Sequence, residues 1–176
     1  MLEIVTETKL LGSLISSDLT WWANTNLITT KAYQRLEILR KLYEFNVSLS
    51  DLSHIYTLYV RSILEFNSCV WHFSITEAEV GDIERVQKIA CKIMLKENYT
   101  NYENALATLQ LSNLEERREM LCARFAKKCL KFDKTKDMFP LNKQNVHREK
   151  YKVNFASTSR LRDSAIPQMQ RLLNKI

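Results

Sequence analysis

The sequence predicts a mostly α-helical fold, a bundle of about five helices with a short N-terminal β-hairpin and a flexible basic C-terminal segment. Three observations predict it. Two glycines and two prolines in 176 residues leave few sharp turns. Apolar residues recur at spacings of three and four over most of the chain. Capping residues, several with an acid in the following turn, stand in front of those runs. With 45% hydrophobic residues the chain is globular rather than disordered. By length it is one domain with a tail, large enough to bury roughly 68–75% of its unfolded surface without a disulfide or metal.

Leu2, Ile4 and the run Lys9–Ile15 read as two strands turning near Glu7-Thr8, with Gly12 marking a bulge or a close approach. A lone hairpin is marginal in water, so it must pack on the helices or on a partner. A candidate hairpin at the first residue also suggests a truncated piece. Asp18 or Thr20 caps a helix over about residues 21–45, carried by Leu27, Ile28, Ala32, Leu36, Leu39 and Leu42. Ser50 caps the next, through Phe66, with Leu52, Ile55, Tyr56, Tyr59, Ile63 and Phe66 on the inner face and Arg61–Glu65 paired on the wet side. Thr76 and Glu79 form a capping box for a helix to Leu95 whose apolar face is Ile83, Val86, Ala90, Ile93 and Met94. Asn101 caps a short helix at residues 102–109. Ser112 with Glu115 opens one to about Lys131, with Leu114, Leu121, Cys122, Phe125 and Cys129 inside. Periodicity fails over residues 132–160, which read as a mobile linker. Residues 167–176 form a short helix, Met169, Leu172, Leu173 and Ile176 on one side, that folds only if it docks. The boundaries are then 1–19 for the hairpin, 20–131 for the bundle, 132–165 for the linker and 166–176 for the last helix.

The formal charge of +6 is uneven. Residues 1–131 hold 16 Lys+Arg and 16 Asp+Glu, and residues 132–176 hold 10 and 4. A basic tail suits either a polyanion or plain solubility. No apolar run exceeds four residues, so no membrane span is expected. Four cysteines without framework spacing fit a reducing intracellular compartment, cytoplasmic or nuclear.

Two basic stripes carry the functional reading: Arg85, Lys88, Lys92 and Lys96 on one helix, and Arg117, Arg124, Lys128 and Lys131 on another, flanked by Arg118 and Lys127. Steps of three or four residues advance about 4.5–6 Å along a helix, against about 3.4 Å per nucleotide of one strand. Solvated lysine faces look the same, so nucleic-acid binding and a plain surface both stand. Most aromatic positions read as core; in the adjacent pair Trp21-Trp22 only one ring can face inward. Cys69-Val-Trp-His72 has half of a zinc spacing, but His54 and His147 lie elsewhere, so no metal is expected. Glycines only at 12 and 81 exclude a phosphate-cradling loop, the acids read as helix caps, and no cofactor is expected.

Lys9-Leu10-Leu11-Gly12-Ser13-Leu14-Ile15, Asp18-Leu19-Thr20-Trp21, Tyr59–Phe66, Val70-Trp71-His72, Ile83–Lys88, Leu114–Arg118 and Ser164–Asn174 occur in an order that resembles the C-terminal part of reverse transcriptases of non-LTR, jockey-like retrotransposons. The resemblance implies a primer-grip-like hairpin at 1–19, with Leu11 and Gly12 in the grip, and a thumb-like bundle at 20–131 that meets an RNA or DNA duplex. It also implies a missing fingers and palm portion. The Asp-Asp pair of the polymerase box is absent, so this chain is expected not to catalyse, because metal-assisted phosphoryl transfer needs such carboxylates. Ser13 stands where the family has valine. The expected activity is weak, sequence-independent nucleic-acid binding; the alternative is a helical protein-interaction module that binds no nucleic acid.

Overall fold

The computed structural model describes residues 5–142 and 150–175, so Leu2, Ile4, His147 and Ile176 lie outside it. The fold is mostly helical with an N-terminal antiparallel hairpin, as the glycine-poor, periodic sequence predicts. It forms two compact units, Met1–Phe66 with Ile75–Glu116, and Asn67–Ser74 with Arg117–Ile176. That boundary falls inside the segment 20–131, which periodicity alone reads as one bundle.

In the first unit, β1 (Glu7–Leu10) pairs with β2 (Ser13–Ser16) in the register Glu7↔Ser16 and Leu10↔Ser13. The turn is therefore Leu11-Gly12 rather than Glu7-Thr8. Both residues have positive φ, +47° and +93°, as a two-residue hairpin loop of the mirror-image type requires. Gly12 is a turn residue and not a bulge, and it is also a close approach. A Cβ there would lie 2.7 Å from Cε1 of Phe66. Gly12→Ala should cost about 1–2 kcal/mol, mostly from the left-handed backbone. Urea denaturation should show a smaller cost in a Phe66→Ala background, and an equal cost would assign all of it to the backbone.

The hairpin is tied to α1 (Trp22–Glu44) by Leu14 N–H, which donates to Asn24 Oδ1 at 3.1 Å. Ile28, Ala32, Leu36 and Leu39 line the inner face of α1, which packs on α5 (Glu77–Leu95). No side chain caps α1; Asp18 instead accepts from Thr20 N–H just before it. Trp22 is 66% exposed, so of the tryptophan pair it is the outward one.

The cap of α2 (Leu49–Ile55) is Ser48, two residues before the expected Ser50, accepting from Asp51 N–H at 3.2 Å. The helix then widens into a π turn, Tyr56–Arg61, before α3 (Ser62–Glu65). A wider turn advances the inner face in steps of four, so Leu52, Tyr56, Val60 and Leu64 are buried. Tyr59 and Phe66, expected inside, are exposed. Arg61, expected on the wet side, is buried, and its Nε lies 3.6 Å from Glu65. The Tyr59 carbonyl of the wide turn accepts from Arg35 Nη1 at 3.0 Å, and the Arg35 guanidinium covers the Tyr59 ring. The Thr76–Glu79 capping box and all five expected apolar positions of α5 are present. Asn101 caps α6 (Tyr102–Leu109).

In the second unit, α4 (Ser68–Trp71) leads into a short turn at His72–Ser74. α7 (Leu114–Cys129) belongs to this unit from Arg117 onward; its cap is not Ser112 but Asn113, whose Oδ1 accepts from Glu116 N–H at 2.8 Å. Its buried positions are Leu114, Arg118, Cys122, Ala126 and Cys129, so Arg118 takes an inner place and Phe125 is exposed. The stretch read as linker carries α8 (Asp133–Lys136) and, past it, two buried anchors, Phe139 and Tyr151. These join Ala126, Cys129, Met169 and Leu173 in one apolar cluster. α10 (Ala165–Lys175), preceded by the single turn α9 (Ser159–Arg162), docks as its amphipathic pattern requires. Asn174 brackets Tyr151, accepting from its N–H at 2.8 Å and donating to its carbonyl at 2.9 Å. Gln170, fully buried, accepts from Asn154 N–H and donates to the Met138 carbonyl. Side-chain amides thus satisfy a polar backbone that has no regular ladder of its own, which is how an aperiodic stretch becomes ordered.

Candidate nucleic-acid interface

The first stripe is placed by α5. Packing of Ile83, Val86, Ala90 and Ile93 inward turns Arg85, Lys88, Lys92 and Lys96 outward, and all four are exposed. Each has company. Arg85 donates to Asp82 at 2.9 Å. Lys88 lies over the Tyr102 ring, Lys92 over Tyr99 and Lys96 over Tyr43, with centroid distances of 5.1, 5.5 and 5.1 Å. Such contacts fix an ammonium over an aromatic face for about 0.5–1 kcal/mol at exposed sites.

The second stripe belongs to the other unit. Arg124, Lys128 and Lys131 are exposed, with Lys127 beside them, while Arg117 is half-buried. Arg118 is fully buried: its guanidinium lies 5.7 Å from the Trp71 ring centroid, and Nε donates to His72 Nδ1 at 3.4 Å. Burial, helped by the Arg118 charge, pushes the His72 pKa down to about 4. Cys69 makes no pair with His72. Its neighbour is Cys122, whose thiol hydrogen bond lowers the Cys69 pKa.

Charge follows the units more sharply than it follows the tail. Residues 1–66 and 75–116 hold 10 Lys+Arg and 15 Asp+Glu, whereas residues 67–74 and 117–176 hold 16 and 5. The balances are −5 and +11. The α5 stripe therefore sits on an acidic body and the α7 stripe on a basic one. Counting by sequence order hides this, because residues 117–131, which hold six Lys+Arg and one Asp+Glu, fold with the tail.

Leu11 and Gly12, the grip-like pair, form the exposed tip of the hairpin. Tyr56, an inner-face position in the sequence, starts a partly buried polar chain in the first unit whose other members, Gln87, Tyr102 and Glu84, periodicity does not single out. Tyr56 O–H donates to Gln87 Oε1 at 2.7 Å, and Gln87 Nε2 donates to Tyr102 Oη at 2.8 Å and to the Ser112 carbonyl at 2.9 Å. Tyr102 O–H donates to Glu84, which also accepts from Leu114 N–H at 3.0 Å and so satisfies the start of α7. Burial, then the Glu84 hydrogen bond, raises the Tyr102 pKa. Burial chiefly pushes the nearby Cys91 thiol up to about 12. The signals in the sequence are a tyrosine and a glutamine at inward positions of two helices, Tyr56 and Gln87.

Among the described residues, no group of three or more His, Cys, Asp or Glu is placed to hold a metal ion, and no helix is long and apolar enough to cross a membrane. Fold and charge together define a helical protein of two units of opposite sign, led by a β-hairpin. The chain matches no family model, no curated protein and no solved structure.

Proposed function

We propose that this protein is a non-catalytic, thumb-like module, similar to the C-terminal part of a non-LTR retrotransposon reverse transcriptase, that binds nucleic acid without reading its sequence. The observation that carries the binding is the charge balance of +11 gathered in one compact unit of 68 residues. The exposed side of α7 presents Arg124, Lys127, Lys128 and Lys131 to phosphates. The order of elements, hairpin and then helices, supports the likeness. Arg85, Lys88, Lys92 and Lys96 are the lesser candidates, being held by an acid and three rings on the acidic unit.

If about four phosphates are neutralised on a duplex, log K should fall against log salt with a slope near −3.6. Fluorescence anisotropy of a labelled duplex measures it. Arg124→Ala with Lys128→Ala should flatten the slope by about 1.8, and Lys88→Ala with Lys92→Ala should leave it nearly unchanged. Absent or salt-independent binding would overturn the reading. A protein-interaction module is the second reading. It is favoured by Leu10, Leu11, Trp22 and Phe66, apolar side chains at least half exposed near the hairpin. Salt-insensitive oligomers in light scattering, with no duplex binding, would select it.

A further inference from the structure

A cleft of about 230 Å³ opens between α1 and α5 in the first unit, lined among others by Trp22, Thr25, Tyr33, Glu79, Asp82 and Arg85. Two polar atoms in its lining residues are buried with no hydrogen-bond partner: Glu79 Oε1 and Thr25 Oγ1. Glu79 is 7% exposed and Thr25 is 3%. A desolvated carboxylate oxygen left without a donor is costly, so the pair calls for a ligand that brings donors and positive charge.

We propose that this cleft binds a primary alkylammonium group, as carried by a lysine side chain or a polyamine. The geometry selects among cations. Glu79 Oε2 already accepts from both Thr76 N–H and Thr76 Oγ1 at 2.8 Å, fixed by the capping box. Only Oε1 is left, so the two-pronged grip of a guanidinium on a carboxylate is not available. An ammonium is a point charge with three donors, for which a single free carboxylate oxygen suffices. The exposed indole of Trp22 and the Tyr33 ring offer faces for the alkyl stem and the cation. Arg85 also lines the cleft, but it is held by Asp82 at 2.9 Å, which makes that pair close to neutral. The acidic balance of this unit draws cations toward it. This site is separate from the basic surface of the second unit and does not depend on it.

The test is an amide and indole NMR titration of the full chain with Nα-acetyl-lysine N-methylamide and with spermidine. The Nα-acetyl-arginine and Nε-acetylated lysine amides serve as comparators. Saturating shifts of the Trp22 indole and Thr25 signals are expected with the two ammonium compounds, at least about tenfold tighter than with the comparators. The tighter of the two ammonium compounds identifies the source. Glu79→Gln keeps a capping-box side chain while removing the charge, and should abolish saturation. Thr25→Val, which keeps the shape, should weaken binding severalfold and carries the test if Glu79→Gln fails to fold. Shifts that never saturate mean that water alone fills the cleft, and they overturn the proposal. So do equal binding of an acetylated or arginine probe and unchanged binding by Glu79→Gln.

Discussion

Acidification from about pH 7 to pH 4.5 should remove about 2–3 kcal/mol of stability through His72 alone. The imidazole is buried beside Trp71 and Arg118, and its pKa in the folded protein is about 4, below the ordinary 6.5. Between those values the unfolded chain binds the proton and the folded chain does not. Stability therefore rises with pH through that window, is fully present above it and is lost as pH falls toward 4. The chemistry behind the sign is local: Nδ1 accepts from Arg118 Nε, and a protonated ring would turn that acceptor into a second donor facing a buried cation. His72→Gln keeps an acceptor and cannot titrate. Urea denaturation at both pH values should show the acid-induced loss reduced by about 2–3 kcal/mol in this variant. Equal losses in the two proteins would remove His72 as the cause.

Gln87→Leu should destabilise the protein by about 2–4 kcal/mol, although it places a larger apolar side chain in a buried position. The loss comes from what is stranded. Tyr56 O–H loses its acceptor, and the Ser112 carbonyl and Tyr102 lose a donor. Tyr56→Phe removes one of those groups altogether, so the double variant should be less destabilised than the sum of the singles. Chemical denaturation of the four proteins measures the coupling, and simple additivity would show that the groups do not act as one network.

How much of this was legible in the sequence depends on what kind of signal each element leaves. The Thr76–Glu79 and Asn101 caps, the inner face of α5 and the docking of α10 were readable because side-chain type and spacing carry them directly. The hairpin was readable but its turn was not. Leucine is a poor guide to a left-handed residue, yet Leu11 takes that conformation beside Gly12. Phe139 and Tyr151 sit in a polar, aperiodic stretch, and nothing local says that Gln170 and Asn174 will supply the missing backbone partners. The two basic stripes lie on exposed faces except at Arg117, which is half-buried, and its neighbour Arg118, which is buried. Their unequal settings were not legible, since the step in charge falls after Glu116, inside the unbroken helical pattern of α7, where no local signal marks it. The cleft at Glu79 was hidden for a further reason: one oxygen of that carboxylate caps a helix, and the other has an unfilled role.

The wide turn at Tyr56–Arg61 behaves as a one-residue surplus in the helical count. Each residue rotates a helix by about 100°, so everything after the turn keeps a compass bearing that a regular coil would not give it. Arg61 faces inward and Phe66 comes to lie against the hairpin tip on those terms. The surplus links the far end of one helix to the shape of the β-turn, two parts separated by more than fifty residues of chain.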